Sequence, residues 1–150
     1  MDAWHGRELV VLMGAPGSGK STFARRYPHV VTTDALRSAG ADGTVGKEAV
    51  DRVYDQAFDA IVALLKANRA VVLDTPAAHP SVRKRALRVA RAFRARATIV
   101  LLMTPVEVCV ARQAARRDPV PEDAVRRMHA AIERQWPSVG AEGWDDIREV

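Results

Sequence analysis

A glycine-rich segment that follows an apolar run constrains this chain of 150 residues more than any other feature. The segment Gly14-Ala15-Pro16-Gly17-Ser18-Gly19-Lys20-Ser21 fits the pattern G-x-x-x-x-G-K-[ST]. Glycine allows positive φ angles and lets an anion approach the main chain closely. Successive backbone N–H groups at the start of a helix can then surround phosphate oxygens. The pattern therefore predicts a phosphate-binding loop.

The residues on both sides of this loop supply the context that the motif requires. Residues 9–13 are apolar, as in a buried strand, and residues 21–26 can continue as a helix. Within the motif, Lys20 offers a positive charge to the β- and γ-phosphates, and Ser21 offers a hydroxyl to Mg²⁺. We therefore predict binding of ATP, or another nucleoside triphosphate, together with Mg²⁺. The predicted nucleotide-binding residues of this segment are Gly14, Ala15, Pro16, Gly17, Ser18, Gly19, Lys20, Ser21 and Thr22.

Apolar runs alternate with helical patterns along the whole chain. The sequence predicts strands at 9–13, 30–33, 70–74, 97–103 and 147–150, and helices at 47–68, 81–92, 105–117 and 122–135. Ser81 is the predicted N-cap of its helix, and a loop is expected after Pro137. This alternation predicts an α/β domain of the P-loop NTPase type, with a doubly wound parallel sheet flanked by helices. The length predicts a single domain over residues 1–150.

The composition limits the possible partners without selecting one. The net charge is +5, and 19 of the 23 basic residues are arginine, which reflects either a compositional bias or a polyanionic partner. No apolar run reaches the roughly 18–20 residues of a membrane span, and the start of the chain lacks a signal-peptide pattern. Cys109 is the only cysteine and is expected to be a buried thiol. A cytoplasmic protein with no membrane partner is the expectation.

Two acids follow predicted strands at the sheet edge where ligands bind in such folds. Asp34 could accept a proton from an attacking hydroxyl, with Arg37 orienting it or holding a substrate phosphate. The alternative is a capping aspartate beside an exposed arginine. Asp74 ends an apolar strand, as the acid on the Mg²⁺ side of such sites does. It either supports the metal in this way or is a capping or turn residue.

Two arginines are placed to act on a bound triphosphate. Arg112 and Arg116 are four residues apart, so they are expected to share one helix face. The breaker at 118–121 separates two predicted helices and suggests a lid over approximately residues 112–128, which would deliver both arginines to the transferring phosphoryl group. The alternative is a solvated helix surface.

Two further groups of residues receive a structural interpretation. Residues 83–96 contain seven basic side chains and no acidic one, and a solvated helix side is preferred over a nucleic-acid track. The histidines show no spacing typical of metal ligands and are expected at the surface or at caps. They are His5, His29, His79 and His129.

Taken together, these motifs resemble the P-loop 5′-hydroxyl polynucleotide kinases, especially the kinase module of bacterial RNA end-healing enzymes. The matching segments are residues 14–22, Thr33-Asp34-x-x-Arg37, residues 71–75, Arg112-x-x-x-Arg116 and residues 120–128. The resemblance implies that Asp34 is the general base on a 5′-hydroxyl and that Arg37 contacts the acceptor or scissile phosphate. It also implies that Arg112 and Arg116 bind the triphosphate, and that Asp74 supports the metal and Arg37.

Three functional hypotheses follow. The first is an ATP-dependent phosphotransferase that acts on the 5′-hydroxyl end of RNA or DNA, with Asp34, Lys20, Arg37 and Arg116 as catalytic residues. The second is a kinase for a small metabolite or antibiotic hydroxyl. The third is a nucleotide-binding switch without an acceptor, against which Asp34 argues, since a switch needs no base at this edge.

Overall fold

A five-stranded parallel sheet forms the centre of the molecule. The computed structural model describes residues 6–33 and 46–150. The strands are β1 (Glu8–Met13), β2 (Val30–Thr32), β3 (Ala70–Asp74), β4 (Arg96–Leu101) and β5 (Asp146–Glu149), in the spatial order β2-β3-β1-β4-β5. The described helices are α1 (Lys20–Ala24), α2 (Lys47–Lys66), α3 (Pro80–Ala92), α4 (Val106–Ala114) and α5 (Glu122–Val139).

The position of each strand follows from its pattern of apolar residues. β1, β3 and β4 are almost continuously apolar and buried, as expected for strands covered on both faces. β2 and β5 are largely exposed and lie at the two edges, where the charged residues of β5 disfavour pairing with another chain. β1 therefore occupies the centre, and the loop that follows it emerges in the middle of the carboxyl edge of the sheet.

Helices cover both faces of the sheet. Alternate residues of β1, such as Leu9 and Val11, pack with apolar side chains of α2, α3 and α5. Val10 and Leu12 point to the other face, where Phe23 and Ala24 of α1 cover them. The predicted α/β class, with a doubly wound parallel sheet, is thereby confirmed. Within the described residues, no helix is long and apolar enough to cross a membrane.

Two helix ends differ from the prediction. α3 begins at Pro80, so its cap is His79, whose Nδ1 accepts a hydrogen bond from the Ser81 backbone N–H at 3.1 Å. Proline suits the first helical position because its missing N–H is not needed there, and this places the cap two residues before Ser81. α5 continues through Pro137 to Val139, since buried Val139 and half-buried Trp136 pack against the core.

Candidate functional site

The loop after β1 has the geometry of an anion cradle. Gly17 and Gly19 adopt positive φ angles of 87° and 101°, and α1 begins directly afterwards at Lys20. Neighbouring segments hold the loop in place. The Gly14 backbone N–H donates to the Pro76 carbonyl at 3.1 Å, and the Thr104 hydroxyl donates to the Ser18 carbonyl at 2.7 Å. The loop is therefore fixed between the segments that follow β3 and β4.

Gly17 is also required by a close contact with α4. A Cβ atom built at this position would lie 2.5 Å from the Cys109 carbonyl oxygen. Cys109 itself is completely buried beside Ala15 and Val125. Burial raises the pKa of its thiol, although the nearby charges of Lys20 and Arg112 oppose the shift. The expectation of a buried thiol is confirmed, and the backbone of this residue packs against the loop.

Two oxygen atoms and an ammonium group meet at the loop. The Lys20 Nζ donates to the Ala15 carbonyl at 3.1 Å, so the ammonium group lies against the loop backbone. The Ser21 hydroxyl donates to Asp74 Oδ2 at 2.8 Å, and Asp74 is almost fully buried. This contact joins the start of α1 to the end of β3.

The Ser21 and Asp74 pair fits a magnesium site. Mg²⁺ prefers hard oxygen ligands, and it is usually held by only one or two protein groups together with waters and substrate phosphates. Within the described ranges, no group of three or more His, Cys, Asp or Glu residues could hold a metal by itself. A hydroxyl and a carboxylate beside a phosphate cradle are the donor set expected when the phosphates supply the remaining ligands.

Arg112 and Arg116 both reach the loop, but from different local structures. The Arg112 Nη1 of α4 donates to the Gly17 carbonyl at 3.2 Å. Arg116 lies beyond the helix, which ends at Ala114, and its backbone N–H donates to the Gln113 carbonyl at 3.0 Å. The prediction that both share a helical face is wrong. The chain leaves the helix here because Gln113 Oε1 accepts from the Val120 N–H at 3.0 Å, which folds the following turn back.

Two cavities gather most of the predicted residues. The smaller, about 60 Å³, lies against the loop and is lined by Pro16, Gly17, Gly19, Lys20, Ser21, Thr22, Asp74 and Arg116. The larger, about 490 Å³, adjoins it and is lined by Gly17, Ser18, Gly19, Thr22, Phe23, Arg26, Leu102, Arg112, Arg116 and Val150. Gly14 and Ala15, at the start of the loop, are buried and line neither cavity. Asp34 and Arg37 lie outside the described residues, so their roles stay predictions.

A hydrogen-bonded chain at the ends of β2 and β3 was not predicted. The Thr33 hydroxyl donates to Thr75 Oγ1 at 2.9 Å, and the Tyr54 hydroxyl lies 2.9 Å from the same atom. Burial raises the pKa of Tyr54, and the hydrogen bonds from the two threonines only partly oppose this shift. The sequence did contain a signal for these contacts, because a threonine follows each of three strands: Thr33 after β2, Thr75 after β3 and Thr104 after β4.

His129 also departs from the expectation of a surface or capping residue. It is buried in α5, with its Nε2 at 2.8 Å from the Thr104 carbonyl and its Nδ1 at 3.1 Å from Glu133. Since Thr104 contacts the loop through Ser18, His129 connects α5 to the phosphate loop. Its helical neighbours Val125 and Ile132 are both buried, which places position 129 on the inner face of the helix.

Comparison with known proteins identifies the family. A family model described as an AAA domain matches residues 9–135. The chain belongs to this AAA domain family. Together with the phosphate loop, this membership implies a nucleotide-binding protein.

Solved structures share the fold. A chain of the Pnkp1/Rnl/Hen1 RNA repair complex superposes with a TM-score of 0.73 and 24% identity, over 89% of this chain and 46% of that one. Kti12 from Chaetomium thermophilum, in complex with ADP-AlF3, superposes with a TM-score of 0.70 and 17% identity, over 95% of this chain and 88% of that one. A gluconokinase from Sinorhizobium meliloti superposes with a TM-score of 0.67 and 17% identity, over 97% of this chain and 84% of that one. This AAA domain protein therefore has the fold of P-loop kinases, and it spans less than half the length of the RNA repair chain.

Proposed function

We propose that this AAA domain protein is an ATP-dependent phosphotransferase that moves the γ-phosphoryl group of ATP to a hydroxyl. The observation that carries the proposal is the small cavity at the loop. Lys20, Ser21, Asp74 and Arg116 line this single space of about 60 Å³. It therefore combines two positive charges with two candidate metal-binding oxygens, as phosphoryl transfer requires.

Each of these residues has a separate task in the proposed reaction. The loop N–H groups and Lys20 hold the β- and γ-phosphates, while Ser21 and Asp74 hold Mg²⁺, which neutralises charge on the phosphate oxygens when bound. Arg116, and Arg112 from the adjoining cavity, stabilise the charge that develops as the phosphoryl group leaves ATP. Asp34 accepts the proton of the attacking hydroxyl, and Arg37 positions the acceptor. The proton, the phosphoryl group and ADP are thereby all accounted for.

The favoured acceptor is the 5′-hydroxyl end of RNA or DNA. Two observations support this choice, namely the sequence Thr33-Asp34-x-x-Arg37 and the fold shared with a chain of an RNA repair complex. A small metabolite is the second candidate, because the gluconokinase shares the same fold over nearly all of this chain. Asp34 argues against a nucleotide switch without an acceptor.

A single screen tests the proposal. The protein is incubated with Mg²⁺ and γ-labelled ATP in the presence of a 5′-hydroxyl oligonucleotide or of each member of a panel of hydroxyl-bearing metabolites. Label transferred to the oligonucleotide supports the favoured acceptor, and label on a metabolite alone supports the second candidate. Hydrolysis of ATP without transfer to any acceptor would favour the switch and contradict the proposal.

A further inference from the structure

A groove between α2 and α3 shares no residue with the two cavities at the phosphate loop. The groove has a volume of about 560 Å³, and we call it the α2–α3 groove. The residues important here are Lys47, Tyr54, Phe58, Val82, Arg85 and Arg88. The Tyr54 hydroxyl lies 2.9 Å from Thr75 Oγ1, and Thr75 follows Asp74, which accepts the hydrogen bond from Ser21. Through Tyr54, the groove is therefore connected to the end of β3, at the edge of the sheet that carries the phosphate loop.

One cation in this groove lies over an aromatic ring. The Arg85 guanidinium lies 4.6 Å from the centroid of the Phe58 ring, and its Nη1 is 2.8 Å from Asp55 Oδ1. Phe58 is 2% exposed, whereas 35% of the Arg85 side chain is accessible. Arg85 thus covers the phenyl ring and retains an accessible surface in the groove. A guanidinium plane held in this way can stack against a nucleobase.

The rim of the groove carries further positive charge. Lys47 and Arg88 are exposed, and the charge of Arg85 is already balanced by Asp55. Within the described part of the chain, Arg88 forms no ion pair, and Asp51 is the one acid that lines the groove. Arg88 follows Arg85 by three residues on α3, so the two side chains are neighbours on the helix surface. A guanidinium over an aromatic ring, next to an available cation, suits a base and its own phosphate.

We propose that the α2–α3 groove binds the first nucleotide of a polynucleotide acceptor. The terminal base stacks on Arg85, and the first phosphodiester contacts Arg88 and Lys47, so that the 5′-hydroxyl points toward the phosphate loop. This inference rests on the proposed transfer to a polynucleotide end. A small neutral polyol would gain little from the three cations of the groove, whereas a base can stack on the Arg85 guanidinium and a phosphodiester can pair with Lys47 and Arg88.

Three variants with a 5′-hydroxyl oligonucleotide test the assignment. Arg85→Lys keeps the charge but removes the plane, and we expect the oligonucleotide KM to rise about fivefold or more, as for a lost base stack. Arg88→Gln should raise this KM and reduce the slope of its logarithm against log salt by about 0.7, the value for one phosphate on a single strand. Lys84→Gln is the control, because exposed Lys84 is on the same helix but does not line the groove. It should change neither quantity, and the KM for ATP should be unchanged in all three variants.

An oligonucleotide whose 5′-terminal residue is abasic gives an independent test with the unmodified protein. With the unmodified protein, the abasic oligonucleotide should have a KM as high as that of Arg85→Lys for the normal oligonucleotide. With Arg85→Lys, the abasic and the normal oligonucleotide should have equal KM values. The proposed role of the groove would be overturned if Arg85→Lys and the abasic substrate both gave normal KM values. It would also be overturned if Arg88→Gln and Lys84→Gln had equal effects. The proposed function would stand in either case. Failure of the unmodified protein to phosphorylate any 5′-hydroxyl oligonucleotide would overturn both.

Discussion

At the scale of single residues, close packing explains why the centre of the phosphate loop is glycine. Gly17 combines a φ of 87° with a contact against the Cys109 carbonyl, which a Cβ atom would approach to 2.5 Å. Gly143 has a φ of 107°, but nothing lies within 4 Å of a Cβ built there. The two positions therefore both have a positive φ and differ in the available space.

This difference gives a paired prediction. Gly17→Ala and Gly143→Ala should each lose about 1–2 kcal/mol of stability from the left-handed backbone. Gly17→Ala should lose roughly 1–3 kcal/mol more, because α4 must move away from the loop. Its affinity for ATP should fall as well, while Gly143→Ala binds normally. Urea unfolding and ATP titration of both variants provide the measurement, and equal losses in the pair would contradict the contact.

Asp34 carries the second prediction at this scale. Asp34→Asn keeps the size of the side chain but removes the base, so transfer to the acceptor should fall by about 10²-fold or more. ATP binding should be retained, since the triphosphate is assigned to the loop and to the two arginines. The comparison requires single-turnover transfer and nucleotide titration of the same preparation. Undiminished transfer would remove Asp34 from the mechanism.

At the scale of elements, α4 and α5 form a hairpin that packs on the loop. Arg126 of α5 makes two hydrogen bonds with Glu107 of α4, at 2.8 and 3.0 Å. Both groups are exposed, so the pair contributes little to stability. Val125 and Cys109 bury the contact with Ala15 of the loop. The hairpin is thus in position to respond to a nucleotide.

The predicted lid over residues 112–128 follows from this position. Amide hydrogens of the turn between α4 and α5 should exchange more slowly when ATP and Mg²⁺ are bound than in their absence. The reason is that Arg112 and Arg116 gain phosphate partners, which hold the hairpin closed. Exchange monitored by mass spectrometry measures the effect, with α2 as the internal reference. Equal protection of the turn in both states would indicate a fixed hairpin.

β5 provides a pH-dependent prediction. Asp145 precedes this strand and accepts hydrogen bonds from the Ala97 N–H and from Arg91, both at 2.8 Å. Burial alone would raise the pKa of Asp145, but these hydrogen bonds and the charge of Arg91 outweigh it and lower the pKa. The ionised form is therefore stabilised by folding, and this contribution is complete above the unfolded pKa of about 3.9. It is lost as the pH falls through the lower pKa of the folded protein.

Asp145→Asn should accordingly lower the free energy of unfolding by about 1 kcal/mol at neutral pH, the scale of one hydrogen bond to a charged group near the surface. The difference from the unmodified protein should shrink as the pH falls below about 4. Urea unfolding at neutral and acidic pH tests this. A difference that does not depend on pH would show that the charge of Asp145 is irrelevant to stability.

Across the whole molecule, features set by neighbouring residues could be predicted from the sequence. The loop, the three central strands and α2 follow from local spacing, and Asp74 was placed correctly because it ends an apolar strand. Contacts between distant segments could not be predicted in this way. The close approach of Cys109 to Gly17 and the hydrogen bond from Thr104 to Ser18 depend on how α4 and β4 meet the loop. The same holds for the contact of Tyr54 with Thr75, which joins α2 to the end of β3.

The basic segment 83–96 shows the same limit. Arg83 is completely buried, with its Nε and Nη2 on Glu142 and its Nη1 on the Ala77 carbonyl at 2.7 Å. Arg91 and Arg96 form ion pairs with Asp145 and Asp146, close to β5. The prediction of a mainly solvated helix side thus omitted acidic partners that are fifty or more residues away. No local pattern distinguishes a buried arginine from an exposed one.

The central claim is that this loop binds a triphosphate for transfer, and Lys20 tests it most directly. The measurement is γ-phosphoryl transfer from ATP to the acceptor found in the screen, by the unmodified protein and by Lys20→Ala, with thermal melting to verify folding. We predict that Lys20→Ala melts like the unmodified protein but transfers about 10²-fold more slowly or not at all, since the charge beside the β- and γ-phosphates is lost. A Lys20→Ala protein that binds ATP and transfers phosphate at the unmodified rate would contradict the account.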